Sequence, residues 1–252
     1  MGLLTFSKAL LSSNHQQSIL RLTKPSTIAT TTTTQRMAST KSITIDIVSD
    51  TVWPWCYVGK RRLEQALARS SVTADVRWRP FQLNSALPKG KGVNKVQMYE
   101  EKFGAERIQS MIPYMATVGE EVGIKFSYGG NIGNTLDSHR FIWKAREIGG
   151  SALQDKLVDA LFAAYFENEQ SLSDHKVLEA CAKQAGMPAE TITELLQNES
   201  IGKSEVQDEM IQFRSQWNCT GVPLFVVNGK YPLSGAQPPE AFAEIFAKIT
   251  KK

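Results

Sequence analysis

The thiols of Cys56 and Cys219 and the imidazole of His139 are the side chains of this 252-residue chain whose type and setting could carry chemistry. Cys56 closes the stretch Trp53-Pro54-Trp55-Cys56. Ahead of it Ile43, Ile45 and Ile47 alternate with Thr44 and Asp46, the period of a strand, and behind it Leu63, Ala66 and Leu67 recur at helical spacing. Cys56 is therefore expected in the first turn of a helix fed by a strand. Unpaired backbone N–H groups and the helix dipole favour negative charge there and lower a thiol's pKa toward a reactive thiolate. The chemistry this predicts is that of a nucleophilic thiolate. No C-x-x-C pair exists anywhere in the chain, and Cys219 lies in the loop just before Gly221-Val222-Pro223. Cys181 lies in an Ala-rich helical stretch and reads as a small core residue.

His139, on a predicted helix beside Trp143, reads as a packed or capping histidine rather than a general base. Three scattered cysteines do not make a disulfide scaffold or a zinc site, and neither His15 nor His175 suggests a metal.

The elements that must position these groups follow in order. Val76 and Trp78 alternate with Asp75, Arg77 and Arg79 in a second strand closed by Pro80, and a strand, helix, strand order in one direction implies a right-handed crossover. Asn84 to Lys95 reads as an exposed loop. A long helical block follows, in which Asn134 caps a helix, Gly149 and Gly150 stop it, and Ser151 with Gln154 has capping-box spacing. Leu153, Leu157, Leu161 and Tyr165 then repeat every four residues; Ser173 to Ala185 ends at Gly186; Pro188 opens another helix; Val206, Met210, Phe213 and Trp217 form a further stripe. Leu224 to Val227, the turn Asn228-Gly229 and Tyr231 to Leu233 predict an antiparallel hairpin. A last helix starts at Pro238 or Pro239 and buries Phe242, Ile245, Phe246 and Ile249. Arg61 and Arg62 read as a solvated helix face.

The turn resembles the active-site turn of DsbA-like thiol oxidoreductases, particularly their FrnE-like branch, which usually reads Cys-Pro-Trp-Cys. Here Trp53 stands where the family's attacking thiol would be, and Cys56 matches the second, resolving and usually less exposed cysteine. The resemblance runs from Ser42 to about Lys251. It rests further on Arg79-Pro80-Phe81, Gly133-Asn134-Thr135-Leu136-Asp137-Ser138-His139-Arg140, Gly221-Val222-Pro223 and Ser234-Gly235-Ala236-Gln237. It implies an α/β, thioredoxin-like fold with a helical insertion after the second strand: a core of residues 42–83 and 218–252 and an insertion of residues 84–217. It also implies a cis bond before Pro223, with the Val222 backbone pairing with a bound peptide or glutathione across from Trp53, Pro54 and Trp55. Ser234 to Gln237 would lie at the start of the last helix, either holding a glutathione carboxylate or serving as an ordinary cap.

Three functions stay open on these residues. Cys56 acts as a monothiol exchanger, weakly, with glutathione or Cys219 resolving it. Or the protein is a glutathione-using transferase or isomerase, like the related kappa-class glutathione transferases and 2-hydroxychromene-2-carboxylate isomerases. Or the turn and the proline loop form a non-catalytic groove for a thiol-bearing peptide or small molecule. No tightly bound cofactor is expected, and glutathione is the expected co-substrate.

Composition narrows the field. Residues 1–36 hold four of the 29 basic residues and none of the 25 acids, so the body is neutral and nucleic acid is not the expected ligand. That leader, rich in Leu, Ser and Thr, has the composition of a mitochondrial or plastid transit peptide, with the Thr30 to Thr34 run as linker; initiation at Met37 would give a cytoplasmic form. No apolar run is long enough to span a bilayer. Phosphate-binding glycine loops and Ser-His-Asp patterns are not readable.

Overall fold

The computed structural model describes residues 41–251, so the leader, its linker and Met37 lie outside the described residues. Strand β1 (Lys41–Ser49) runs through the centre, with Ile43, Ile45 and Ile47 buried as their alternation requires. Helix α1 (Pro54–Ala68) follows, then β2 (Val72–Pro80), which pairs with β1 in parallel from Lys41 opposite Val72 to Ser49 opposite Pro80. Near the end of the chain come β5 (Leu224–Val227), antiparallel to β1, and β6 (Tyr231–Ser234), antiparallel to β5. The sheet order is β2-β1-β5-β6. Asn228 and Gly229 both take positive φ, 51° and 60°, the geometry of the tightest hairpin turn. Helix α8 (Pro239–Thr250) buries Phe242, Ile245, Phe246 and Ile249.

Between β2 and β5 lies the helical block: α2 (Lys95–Phe103), α3 (Ala105–Val122), α4 (Leu136–Phe166), α5 (His175–Ala185), α6 (Ala189–Gln197) and α7 (Lys203–Trp217). Two short strands, β3 (Val93–Asn94) and β4 (Asn131–Ile132), pair antiparallel beside α2. The chain is thus a thioredoxin-like α/β fold interrupted by helices after its second strand.

Local details differ from the sequence reading for physical reasons. α4 runs on to Phe166, with Gly150 at φ 64° and ψ −162° breaking the helical backbone inside it. Gln154 does not complete a capping box. Its amide reaches the outer edge of β2, accepting from Trp78 N at 2.9 Å and donating to Trp78 O at 3.2 Å, which covers an otherwise unpaired sheet edge. Arg62 is not on a solvated face, because it donates to the Ala236 carbonyl at 2.7 Å. Cys181 is buried and its thiol donates to Ala160 O at 3.6 Å.

Lys95, placed by sequence at the end of an exposed loop, is 1% exposed. Its ammonium donates to Tyr165 O at 3.1 Å and lies 3.9 Å from the centre of the Tyr165 ring. Burial lowers its pKa to about 8, against a smaller opposing pull from Glu169. The folded state therefore binds this proton more weakly than the unfolded chain does. Stability carries a penalty below about pH 8 that is relieved as pH rises from about 8 toward the ordinary value of 10.5. Lys95→Met is expected to raise stability at pH 7 by about 1–3 kcal/mol and to abolish that alkaline rise; urea midpoints at pH 7 and pH 10 measure both. A destabilised variant would mean the ammonium has a stronger partner than Tyr165.

Candidate active site around the Trp53 to Cys56 turn

β1 delivers the chain to the turn, and Trp53 takes the N-cap position of α1 with extended backbone (φ −102°, ψ 115°). Trp53 N donates to Asp50 O at 3.2 Å, and Cys56 N donates back to Trp53 O at 2.9 Å. Pro54 supplies the fixed φ favoured at a first helical position. No side chain caps this end and no acid lies in its first turn, so the positive end of the helix is uncompensated.

Cys56 nevertheless is not the low-pKa thiol that its place in the helix alone suggests. It is wholly buried, and loss of water pushes its thiol up to about 12. Hydrogen bonding from Ser49 and the Asp50 backbone pulls the other way and is outweighed, with the charge of Asp50 and the presence of Cys219 adding to the rise. The helix dipole thus loses to desolvation, and the low pKa expected from position alone is corrected to a raised one.

The proline loop closes over the same face of α1. The Val222–Pro223 bond is cis. A Cβ on Gly59, one turn beyond Cys56, would sit 3.3 Å from Pro223 Cγ and 2.8 Å from Phe225 Cζ, so only glycine allows this approach. Cys219 is buried in the approach to the loop, its thiol donating to Gly221 O at 3.3 Å, and burial raises its pKa as well. Among Ser234 to Gln237, Gly235 N donates to Pro223 O at 2.8 Å and Gln237 N to Gly235 O at 2.9 Å. Pro238 and Pro239 contribute no N–H, and Glu240 adds negative charge to the first turn of α8. Gly235 N thus ties this segment to the proline loop, and the Arg62 guanidinium lies beside it on the Ala236 carbonyl.

Trp53 separates two cavities and lines both with Tyr99 and Phe103. One, of about 230 Å³, runs along Trp55, Ile108, Met111 and Met115. The other, of about 40 Å³, ends on Asp50. Trp55 also pairs with the exposed ring of Tyr114, centroids 6.3 Å apart. The methionines and aromatic rings make the larger cavity an apolar groove opening beside the turn.

The segment from Asn134 to Arg140 holds the helical block against this site. Asn134 does not serve as the N-cap, which is Thr135, but its side chain accepts from Leu136 N at 2.9 Å and donates to Ser85 O at 2.8 Å. Thr51 and Ser138 share a hydrogen bond of 2.8 Å. His139 Nε2 lies 2.9 Å from the Phe81 carbonyl, which can only accept, so that nitrogen carries the proton; Asp50 Oδ1 is farther, at 3.7 Å. His139 is a buried tie between α4 and the end of β2. Arg140 is buried on Asp137 and three carbonyls.

Sequence reasoning missed Asp50, Lys60 and the groove residues of α2 and α3. For Lys60 a signal existed: Cys56, Lys60, Leu63 and Leu67 share helical spacing, which puts the lysine on the inward face. It is 2% exposed and meets Asp155 at 3.2 Å, Asp159 at 3.0 Å and Glu64. Those three acids converge as metal ligands might, as do Asp137, His175 and Glu199, but an ammonium already sits in each group, Lys60 in the first and Lys89 in the second.

Comparison with known proteins agrees with this architecture. The family model of the DSBA-like thioredoxin domain matches residues 44–247. The crystal structure of a probable DsbA oxidoreductase from Streptomyces coelicolor is similar at 30% identity and a TM-score of 0.76, over 83% of this chain and 91% of that one. The uncharacterized protein YwbO of Bacillus subtilis is 24% identical over 84% of this chain and 99% of its own length. The cytosolic disulfide reductase DsbM of Pseudomonas aeruginosa, solved with GSH, has the same fold at 13% identity and a TM-score of 0.58, over 83% of this chain and all of that one.

Proposed function

We propose, since this chain belongs to the DSBA-like thioredoxin domain family, that it is a thiol-disulfide oxidoreductase working slowly through one buried thiol. A thiol-bearing peptide or small thiol lies extended between the Trp53 to Trp55 turn and the Val222–Pro223 loop, where backbone N–H and C=O groups add to it as a strand would. The observation that carries this reading is the placement of Cys56, the single cysteine of the turn, one helical turn before Gly59, where the cis Val222–Pro223 loop approaches α1; its burial, which pushes the thiol to about 12, makes the exchange slow.

In the forward step the Cys56 thiolate attacks one sulfur of a substrate disulfide, the S–S bond breaks, and the other half leaves as a thiolate that takes up a proton. A glutathione thiolate then attacks the substrate's sulfur in the mixed disulfide, forming a glutathione–substrate disulfide and releasing the Cys56 thiolate; a second glutathione thiolate cleaves that disulfide, so two glutathiones leave as oxidised glutathione. The DsbM structure with GSH supports that choice of co-substrate. With its pKa pushed up to about 12, the Cys56 thiol is scarcely ionised at pH 7, which makes the exchange slow.

A second reading, a binding groove without chemistry, is favoured by the aromatic and methionine lining beside the turn. A kappa-class transferase or isomerase has less support, because Trp53 stands where such relatives carry serine. The acid-free leader supports delivery to a mitochondrion or plastid, and initiation at Met37 a cytoplasmic form.

Incubation with oxidised glutathione followed by mass spectrometry separates the first two readings. The exchange reading expects slow glutathionylation of Cys56, and loss of both the adduct and any disulfide-reductase activity in Cys56→Ser. Activity unchanged in Cys56→Ser contradicts it.

A further inference from the structure

The first turn of α1 and the α2–α3 hairpin leave between them the groove of about 230 Å³, which the exchange step at Cys56 does not fill. Of its lining, Tyr99, Ile108 and Met115 are buried, and Trp53, Trp55 and Met111 are half-buried. Two cations stand at its Phe103 side. The Arg107 guanidinium carbon lies 6.0 Å, and the Lys102 ammonium 5.3 Å, from the centre of the Phe103 ring, itself part of the lining. Both side chains are exposed, and neither makes a salt bridge among the described residues. Glu101, next to Lys102 in sequence, instead accepts from Gln97 Nε2 at 3.2 Å.

We propose that this groove binds a straight-chain monocarboxylate of about eight carbons, its tail along the apolar lining and its carboxylate at Arg107 and Lys102. Polar pairing argues for an alkyl chain over a peptide. Arg107 is the one charged residue of the lining, so the backbone N–H and C=O groups of a peptide would go largely unpaired there, whereas an alkyl tail carries none. The two cations select a carboxylate over an amine, because each gives it a charge-assisted hydrogen bond. Tyr99 and Phe103 are tilted 56° to one another with centroids 6.1 Å apart. That pair offers no parallel slot to a flat aromatic acid, while the unbranched side chains of Met111 and Met115 conform to a flexible chain. At roughly 30 Å³ for each methylene-sized group, the volume of about 230 Å³ holds about eight of them.

Calorimetric titration of the full, reduced chain with sodium octanoate tests the proposal. Saturable binding of one octanoate per chain is expected, weakening about two- to fourfold for each methylene removed on the way to butyrate. Octylammonium is expected to bind about tenfold or more weakly than octanoate. Lys102→Gln combined with Arg107→Gln is expected to weaken octanoate about tenfold and to remove its advantage over octylammonium. Met111→Glu, which sets an acid in the apolar lining, is expected to abolish octanoate binding, with thermal melts reporting whether it folds. Should it not fold, the double variant decides, since both of its side chains are exposed. No saturable binding, several octanoates per chain, octylammonium binding as tightly as octanoate, 2-naphthoate binding more tightly than octanoate, or an unchanged affinity in the double variant overturns the assignment. Neither a disulfide nor glutathione enters the titration, so its outcome is independent of the exchange chemistry at Cys56.

Discussion

Trp53→Cys is expected to raise disulfide-reductase activity by a factor on the order of 10²–10³. A thiol at the N-cap of α1 would meet a helix end with no capping side chain and no acid in its first turn, conditions that bring a cysteine pKa to about 7 or below. Relative to a thiol of pKa about 12, the thiolate fraction at pH 7 then grows by about 10⁵, while the lower basicity costs roughly 10² in nucleophilicity. Cys56, three residues on, becomes the resolving thiol that the family pattern assigns to it. Insulin reduction with glutathione measures the gain, and the loss of two hydrogens by mass shows the new disulfide. A variant that forms the disulfide but stays inert would mean that the cleft beside Pro223 no longer admits a substrate.

Arg140→Met is expected to cost about 3–5 kcal/mol at pH 7, the range for removing one partner of a buried ion pair. Arg140 is 1% exposed and donates to Asp137 Oδ1 at 2.9 Å and to the carbonyls of Leu195, Asn198 and Ile201. Burial alone would raise the Asp137 pKa, but hydrogen bonds from Arg140 and His175 and the charge of Lys89 hold it below its ordinary value of 3.8. A depressed carboxyl stabilises the fold above its unfolded pKa and loses that contribution as pH falls through the folded one. The gap between wild type and Arg140→Met is therefore full at pH 7 and narrows below about pH 3.8 as Asp137 takes up its proton. Urea midpoints at pH 7 and pH 3 measure it; a cost under about 1 kcal/mol at pH 7 would contradict the structural role assigned to this arginine.

Periodicity carried most of the sheet. The Ile43, Ile45, Ile47 alternation, the Asn228-Gly229 turn and the α8 stripe are local patterns, and each lies where its period places it. The resemblance supplied the helical insertion between β2 and β5, which period alone does not order in space. The polar interior was not legible. Lys60 is buried by acids 95 and 99 residues away, Gln154 is drawn to a sheet edge 76 residues away, and Lys95 is covered by Tyr165, 70 residues away. Helical spacing put Lys60 on an inward face, but nothing in the neighbouring sequence names the partners that bury these side chains. The same holds at the site: the position of Cys56 in the helix was readable, but the desolvation that reverses its pKa comes from the packing around it, which local sequence does not encode.

The rate of Cys56 alkylation by iodoacetamide against pH, in a Cys181→Ala, Cys219→Ala background, tests the account most directly. A wholly buried thiol with a raised pKa predicts alkylation at pH 7 far slower than that of a free thiol, still rising with pH up to the ordinary value of 9.0 or beyond. A rate at pH 7 comparable with a free thiol's, or a profile that levels off well below 9.0, would mean that Cys56 is an accessible, activated thiolate, and the slow single-thiol mechanism would be wrong.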